Sequence, residues 1–306
     1  MYTDTARQGW RRVRRATARA GWLGVLLACC GVAAAQSVII YPRPESLGDE
    51  RAAYPIALLK LSLSKVGNPY RLAASPAQMQ QGRALRLLAR GQGIDLLWTV
   101  TSREREAAFL PIRIPIDRGL IGWRLLLIRA QDRALFAPVA TATALAPLRA
   151  GQGHDWPDTE VLRANHLAVF TSTAYDRLFK MLARGHIQYF PRSVIEIWQE
   201  IAAHPELRLG AADGIALHYP EALYFFVNKS NTALAAKVER GLRLAIADGS
   251  MQKLFDEYYG EAIARAGLAR RSIIALDNPL LPSATPLADA ALWFAPAPVH
   301  PGGGAP

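Results

Sequence analysis

Cysteine is nearly absent from this sequence. Its 306 residues include only two, Cys29 and Cys30, and both lie in an apolar run near the N-terminus. The chain beyond that run therefore has no thiol for a disulfide, a metal site or nucleophilic attack. This excludes a disulfide-stapled fold and thiol-based catalysis for everything that follows the run.

The motifs of common hydrolases and nucleotide-binding enzymes are absent as well. The six histidines have no metal-ligand spacing, and the sequence contains no H-E-x-x-H, no G-x-x-x-x-G-K and no G-x-S-x-G. Glu104 and Glu106 stand beside arginines that keep them ionised, which makes them poor general acids. We expect no catalytic residue, no metal and no cofactor, with an enzyme on the same scaffold as the remaining alternative.

A basic excess is present, but part of it is concentrated at the N-terminus. Six arginines in residues 1–35 precede the run GWLGVLLACCGVAAA, which ends in small residues and is short for a membrane span. This pattern predicts a cleavable signal peptide over 1–35 and a periplasmic protein, with an uncleaved anchor as the alternative. Removing these six Arg and one Asp from 36 basic and 25 acidic residues lowers the net charge from +11 to about +6, and no basic stripe for nucleic acid remains.

Strand and helix patterns alternate in the first part of the remaining chain. The segments SVIIYP (37–42), YRLAAS (70–75) and IDLLWTV (94–100) are predicted strands, and the last is apolar enough for a strand buried on both faces. Amphipathic helices are predicted between them, over 50–66 and 76–91. This order predicts a mostly parallel sheet flanked by helices.

A second α/β unit lies between two long extended segments, 119–129 and 221–228. A unit inserted between two such strands is typical of a two-lobed protein with a hinge. From residue 278 onward proline, alanine and glycine dominate without sustained periodicity, so we predict a disordered tail over 273–306.

The most specific stretch is LAAKVERGLRLAIADGSMQKLFDEYYG, residues 234–260. Leu234, Val238 and Leu242 share one face of its first helix, and Gly249 suits a left-handed helix end. The stretch resembles the C-terminal segment of periplasmic solute-binding proteins of the type II class, the extracytoplasmic receptors of amino-acid uptake systems. The order of strands and helices before it is similar to that family over residues 38–272.

The resemblance implies an α/β fold of two lobes, each with a mostly parallel sheet, joined by two hinge strands. Lobe one comprises 36–129 and 221–272, and lobe two comprises 130–220. A monomer of this kind holds a small solute between its lobes and delivers it to an inner-membrane ABC permease. The alternatives are a periplasmic sensor that reports to a membrane signalling protein, and a receptor that has no transporter.

Residues at the ends of the predicted strands are candidates for ligand binding, because ligands of open α/β sheets bind at the carboxyl ends of strands. Tyr41 lies at the end of the first strand, Arg43 follows it, and Trp98 and Thr99 lie at the end of the third. Tyr41 and Trp98 have a second interpretation as core aromatics.

The run Ser102-Arg103-Glu104-Arg105 resembles the T-x-E-R element of amino-acid receptors in this family. The resemblance implies an arginine that binds the ligand's carboxylate through two N–H groups. Matching the run to the element assigns this role to Arg105, whereas the distance to the following FLPI favours Arg103. A solvated, self-paired charge cluster is the third interpretation.

Arg192 and Ser193 occupy the place where amino-acid receptors of the family have an aspartate for the ligand's ammonium group. No carboxylate adjoins them in the sequence IQYFPRSV. This departure argues against a plain α-amino acid, and together with an arginine in lobe one it predicts an anionic solute. The alternative is that Arg192 pairs with Glu196, four residues further along the chain.

Overall fold

The computed structural model describes residues 37–44, 50–67 and 70–296. The signal peptide predicted for 1–35 lies outside them. Among the described residues no helix is both long and apolar enough to cross a membrane. The strands are β1 (Val38–Arg43), β2 (Arg71–Gln78), β3 (Leu96–Val100), β4 (Leu110–Ile112), β5 (Trp123–Arg129), β6 (Arg149–Gly153), β7 (Ala168–Ser172), β8 (Phe190–Ser193), β9 (Leu209–Ala211), β10 (Ile215–His218), β11 (Leu223–Val227) and β12 (Ser272–Ala275). The helices are α1 (Ala53–Lys65), α2 (Gln81–Ala89), α3 (Arg103–Ala108), α4 (Arg133–Phe136), α5 (Ala142–Leu145), α6 (Pro157–Ala164), α7 (Tyr175–Ala183), α8 (Ile197–Ala203), α9 (Thr232–Ala247) and α10 (Ser250–Ala266).

The first lobe contains two small sheets and the longest helices. β1 and β2 pair in parallel, and β11 runs antiparallel between β3 and β4. The helical stretch described in the sequence over 234–260 forms α9 and α10. α9 approaches α1 so closely at Gly241 that a Cβ there would lie 2.0 Å from the backbone oxygen of Ser62. Glycine is therefore required for this packing.

The second lobe contains a five-stranded sheet in the order β12-β10-β5-β8, with β9 also paired to β5, and a parallel pair, β6-β7. β5 is antiparallel to β8, β9 and β10, so the sheets are mixed and the prediction of mostly parallel sheets is wrong. The predicted boundary at 129/130 is also wrong for residues 123–129, because β5 is the central strand of this sheet. Its apolar residues 125–128 are fully buried, which requires cover on both faces.

The disordered tail predicted from residue 273 is wrong for residues 273–296. β12 pairs in parallel with β10, and Ile274 and Leu276 are buried in the core of the second lobe. Further along, the N–H of Phe294 donates to the carbonyl oxygen of Arg118 at 2.7 Å. A few buried apolar side chains anchor this proline- and alanine-rich segment, most of which is exposed or partly exposed. Residues 297–306 lie outside the described part of the chain.

Residues 117–122 and 219–222 connect the lobes, and the chain crosses again between α10 and β12. In the first, the fully buried carboxylate of Asp117 accepts N–H groups from Gly119 at 3.1 Å and Ile121 at 2.8 Å. Gly119 has a left-handed φ of 71°. Burial raises the pKa of Asp117 to about 7, although its two backbone hydrogen bonds oppose the rise.

Candidate functional site

A cleft of about 370 Å³ lies between the two lobes and is lined by side chains of both. Such a volume suits a small molecule rather than a polymer. Arg105 and Trp98 belong to its first-lobe wall, and Arg192 and Glu196 to its second-lobe wall. Other lining residues are Arg43, Tyr54, Gln81, Thr99, Arg124, Trp156, Asp158, Tyr175, Trp198 and Tyr259.

Arg105 lies in the first turn of α3, where the side chain of Ser102 caps the helix by accepting the Arg105 N–H at 3.1 Å. Its guanidinium donates to the hydroxyl of Thr99 at 2.8 Å, the carbonyl oxygen of Val100 at 2.7 Å and the amide oxygen of Gln81 at 2.7 Å. All three partners are neutral. Burial lowers the pKa of Arg105, and no carboxylate among the described residues forms an ion pair with it. A fixed guanidinium with neutral partners can receive an anionic group from the cleft.

Arg103, the alternative to Arg105, is exposed at the start of α3 and does not line the cleft. Its described contact is a backbone one, because its N–H donates to the carbonyl oxygen of Leu280 at 3.1 Å. The capped turn therefore directs Arg105 inward and Arg103 outward.

The other first-lobe candidates lie at or close to the cleft. Trp98 is half-buried and lines it, and the ring of Tyr41 lies behind, with its centre 5.9 Å from that of Trp98. Tyr41 itself is not among the lining residues. Arg43 is exposed at the rim, where its Nε donates to the carbonyl oxygen of Ser75 at 2.8 Å.

Arg192 lines the cleft, but its charge is already paired. Its Nε donates to both carboxylate oxygens of Glu200 at 2.8 Å, and its Nη2 lies 2.6 Å from Glu200 and 2.9 Å from Glu196. Burial opposes the charge, yet Glu196 and Glu200 outweigh it and raise the pKa of Arg192. The structure therefore has the alternative arrangement, in which Arg192 pairs with Glu196, and it adds a second pair with Glu200. Arg192 therefore gives no support for an anionic solute.

Ser193, the companion of Arg192, is fully buried and does not line the cleft. Its hydroxyl donates to the carbonyl oxygen of Leu120 at 3.1 Å, and its N–H donates to Glu196 at 3.1 Å. It holds the end of β8, an edge strand in which the missing N–H of Pro191 is tolerated.

Arg124 of β5 is a buried arginine that the sequence analysis did not single out. Its Nη2 lies 2.6 Å from Asp158 and 2.5 Å from Glu221, and its Nη1 lies 3.5 Å from Glu196. Tyr219 donates its hydroxyl to Asp158 at 2.5 Å. Two features of the sequence indicated this arrangement weakly. They are the acidic first turn of α6 and the glutamate four residues after Arg192.

These side chains form one charge cluster with Arg192. We define the charge cluster as Arg124, Asp158, Arg192, Glu196, Glu200 and Glu221. Two arginines face four carboxylates, so the cluster carries an excess of acidic groups. Burial raises the pKa of Glu221, and the neighbouring Asp158 adds to the rise. Of the four carboxylates, Asp158 and Glu196 line the cleft, so the second-lobe wall presents two acidic groups to a positive group, opposite the guanidinium of Arg105.

No protein-family model matches the sequence, and no curated protein matches it. The fold is similar to that of solved substrate-binding proteins. An ancestral arginine-binding protein bound to arginine has a TM-score of 0.56 at 12% identity, with 74% of this chain and 99% of that chain covered. An amino acid ABC transporter substrate-binding protein from Streptococcus pneumoniae, bound to L-arginine, has a TM-score of 0.55 at 15% identity, covering 74% and 95%.

A periplasmic His/Glu/Gln/Arg/opine family-binding protein from Silicibacter pomeroyi, in complex with lysine, has a TM-score of 0.55 at 9% identity, covering 73% of this chain and 97% of that one. At such low identities the likeness concerns the fold. The two-lobed α/β fold expected from the C-terminal helices is confirmed.

Proposed function

We propose that this protein is an extracytoplasmic solute-binding protein that holds an α-amino acid between its lobes for an ABC-type uptake system. The observation that carries the proposal is the polarity of the cleft. A guanidinium with neutral partners stands on the first-lobe wall, and two carboxylates of the charge cluster, Asp158 and Glu196, line the second. An α-amino acid has the matching pair of charges.

Arg105 is proposed to bind the ligand's carboxylate. Its Nη1 is committed to Thr99 and Val100 and its Nη2 gives one N–H to Gln81, whereas its Nε has no hydrogen-bond partner among the described residues. Nε and Nη2 together offer one edge of the guanidinium, which is the geometry of a two-bond contact with a carboxylate. Because the side chain is held before the ligand arrives, little conformational entropy is lost on binding.

The ammonium group is proposed to lie toward Asp158 and Glu196. Both are buried, both line the cleft, and both belong to the charge cluster. Oδ1 of Asp158 forms an ion pair with Arg124 and accepts the hydroxyl of Tyr219, while its Oδ2 has no hydrogen-bond partner among the described residues. A positive ligand group here would reduce the acidic excess of the cluster.

Export and delivery complete the proposal. The signal-peptide pattern of residues 1–35 supports a periplasmic location. The sheets of the two lobes are separate, and residues 117–122 and 219–222 run between them, which supports hinge closure over the ligand. We propose a monomer that hands its solute to an inner-membrane permease.

The test is a thermal-unfolding screen of the purified mature protein against the common L-amino acids, with native mass spectrometry to detect a co-purified solute. A ligand that binds only the folded state raises the unfolding temperature by mass action. Arg105→Ala should abolish the rise, and Arg103→Ala, two residues away but exposed, should preserve it. No response to any amino acid, or equal responses of both variants, would contradict the proposal.

A further inference from the structure

The guanidinium of Arg192 lies against three aromatic rings as well as its carboxylates. Its Cζ is 4.7 Å from the ring centre of Phe190, 5.1 Å from that of Trp156 and 5.8 Å from that of Tyr175. Tyr175 also donates its hydroxyl to Glu200 at 2.5 Å, so one ring and one carboxylate of the group are tied together. We call this arrangement the cation cage.

The chemistry of the cation cage is that of a binding site for a free cation. Aromatic faces attract a cation most strongly where water is excluded, and the planar guanidinium stacks on them while carboxylates take its N–H groups. Arg192, Trp156 and Tyr175 all line the cleft. The cage therefore adjoins the cavity in which a solute would bind, and its occupant is a side chain of the protein itself.

Arg124 provides a comparison within the same charge cluster. It is as buried as Arg192 and is paired with three carboxylates, but among the described residues only Tyr219 faces it with a ring, at 5.5 Å. Its Nε has no partner there. Burying an ion pair at this wall thus does not require an aromatic cage, and the rings around Arg192 are a separate feature.

We propose that Arg192 is a tethered cation that determines specificity. It occupies the cation cage on the second-lobe wall, so the cleft takes α-amino acids with neutral side chains and rejects those whose side chain ends in a guanidinium or ammonium group. The statement about amino acids rests on the proposed function. The cage itself does not, because its contacts are all within the protein. Removing the side chain of Arg192 leaves a space that accepts a guanidinium.

The first test compares L-citrulline with L-arginine as ligands of the wild-type protein. The two have nearly the same shape, but a neutral urea group in citrulline replaces the charged guanidinium. We expect citrulline to bind at least tenfold more tightly, and we expect Arg192→Ala to reverse the order. Wild-type protein that binds arginine as tightly as citrulline would overturn the proposal. This comparison needs no variant, so it decides the matter where Arg192→Ala does not fold.

The second test uses guanidinium ion alone, at a few millimolar, against sodium ion at equal ionic strength. Guanidinium should raise the unfolding temperature of Arg192→Ala, because it enters the empty cage by mass action. It should not do so for the wild type or for Arg243→Ala, whose arginine pairs with Glu239 on an exposed helix face. A folded Arg192→Ala that responds equally to both ions refutes the cage. This readout stays valid if no amino acid binds, an outcome that would contradict only the proposed function.

Discussion

The hydroxyl of Thr99 accepts a hydrogen bond of 2.8 Å from Nη1 of Arg105. Thr99 is near the end of β3, so the strand itself orients the first turn of α3. The backbone carbonyl of Val100 and the amide of Gln81 complete the support. The guanidinium is held by neutral groups from three points, which keeps its charge available to the cleft.

Replacing Thr99 with valine removes this hydroxyl at nearly constant shape. We expect Thr99→Val to weaken ligand binding by about tenfold, as a hydrogen bond to a charged group contributes roughly 1.5–3 kcal/mol and Arg105 keeps its other partners. Thr101→Val is the matched control, because its hydroxyl donates to Glu106 and not to Arg105. Calorimetric titration with the ligand found by the screen measures both. Equal losses in the two variants would assign the effect to general destabilisation.

The position of Arg105 was partly accessible from the sequence. The Ser102-to-Arg105 run predicts an arginine that faces the ligand after a strand end, and the sequence alone leaves Arg103 and Arg105 as alternatives. Which of the two turns inward depends on the cap geometry and on Gln81, which lies 24 residues earlier. A contact between separate helices has no local sequence signal.

The environment of Arg192 could be predicted from the sequence only in small part. Glu196 at four residues' spacing is visible in the sequence, but an exposed pair of that kind contributes only a few tenths of a kcal/mol. In the folded protein this pair is buried, and the ring of Trp156, which is distant in the sequence, packs against Arg192. Both features make the pair more important than its spacing indicates. Likewise, Arg124 and Glu221 are 97 residues apart and meet only because β5 and the second connecting segment adjoin. Such partners follow from topology rather than from local pattern.

The close approach of α1 and α9 predicts a strong effect of a single methyl group. Gly241→Ala places a Cβ 2.0 Å from the backbone oxygen of Ser62, so the helices must separate, and overpacking of this kind costs about 1–3 kcal/mol. Gly260→Ala, in α10, is the control because its Cβ would meet nothing within 4 Å. Alanine's better helix propensity should leave that variant as stable or more stable. Urea unfolding measures both, and a Gly241→Ala protein of wild-type stability would disprove the close packing.

The buried pair of Arg192 and Glu200 should contribute more to the free energy of unfolding than a surface pair of the same residue types. Glu200→Gln leaves a buried guanidinium short of its principal partner, and breaking a buried pair in this way costs about 3–5 kcal/mol. Glu239→Gln breaks the exposed pair with Arg243, where about 0–1 kcal/mol is expected. The free energies of unfolding of the two variants, measured in urea, give the comparison. Similar losses in both would mean that the Arg192 site is solvated.

Asp117 predicts a particular dependence of stability on pH. An unfolded chain releases the proton of this residue near pH 4, whereas the buried group holds it to about 7. The folded state therefore binds more protons over that interval. Its stability falls as pH rises from about 4 to about 7 and then levels off, with a slope of at most about 1.4 kcal/mol per pH unit from this group.

Asp117→Asn removes the titrating carboxyl group and should remove its contribution to the pH dependence of the free energy of unfolding. This holds even if the substitution lowers stability at every pH. Urea unfolding between pH 4.5 and 7.5 gives the free energies of unfolding of both proteins. The wild-type value minus the variant value should fall as pH rises. Asp248→Asn is the control: the pKa of this exposed carboxylate is lowered to about 2, chiefly by its hydrogen bond from Lys65, so it stays ionised over the whole range. A wild-type-minus-Asp117→Asn difference that is flat across the range would mean that Asp117 is ionised at pH 4.5 in the folded protein. Its two backbone N–H donors would then outweigh burial.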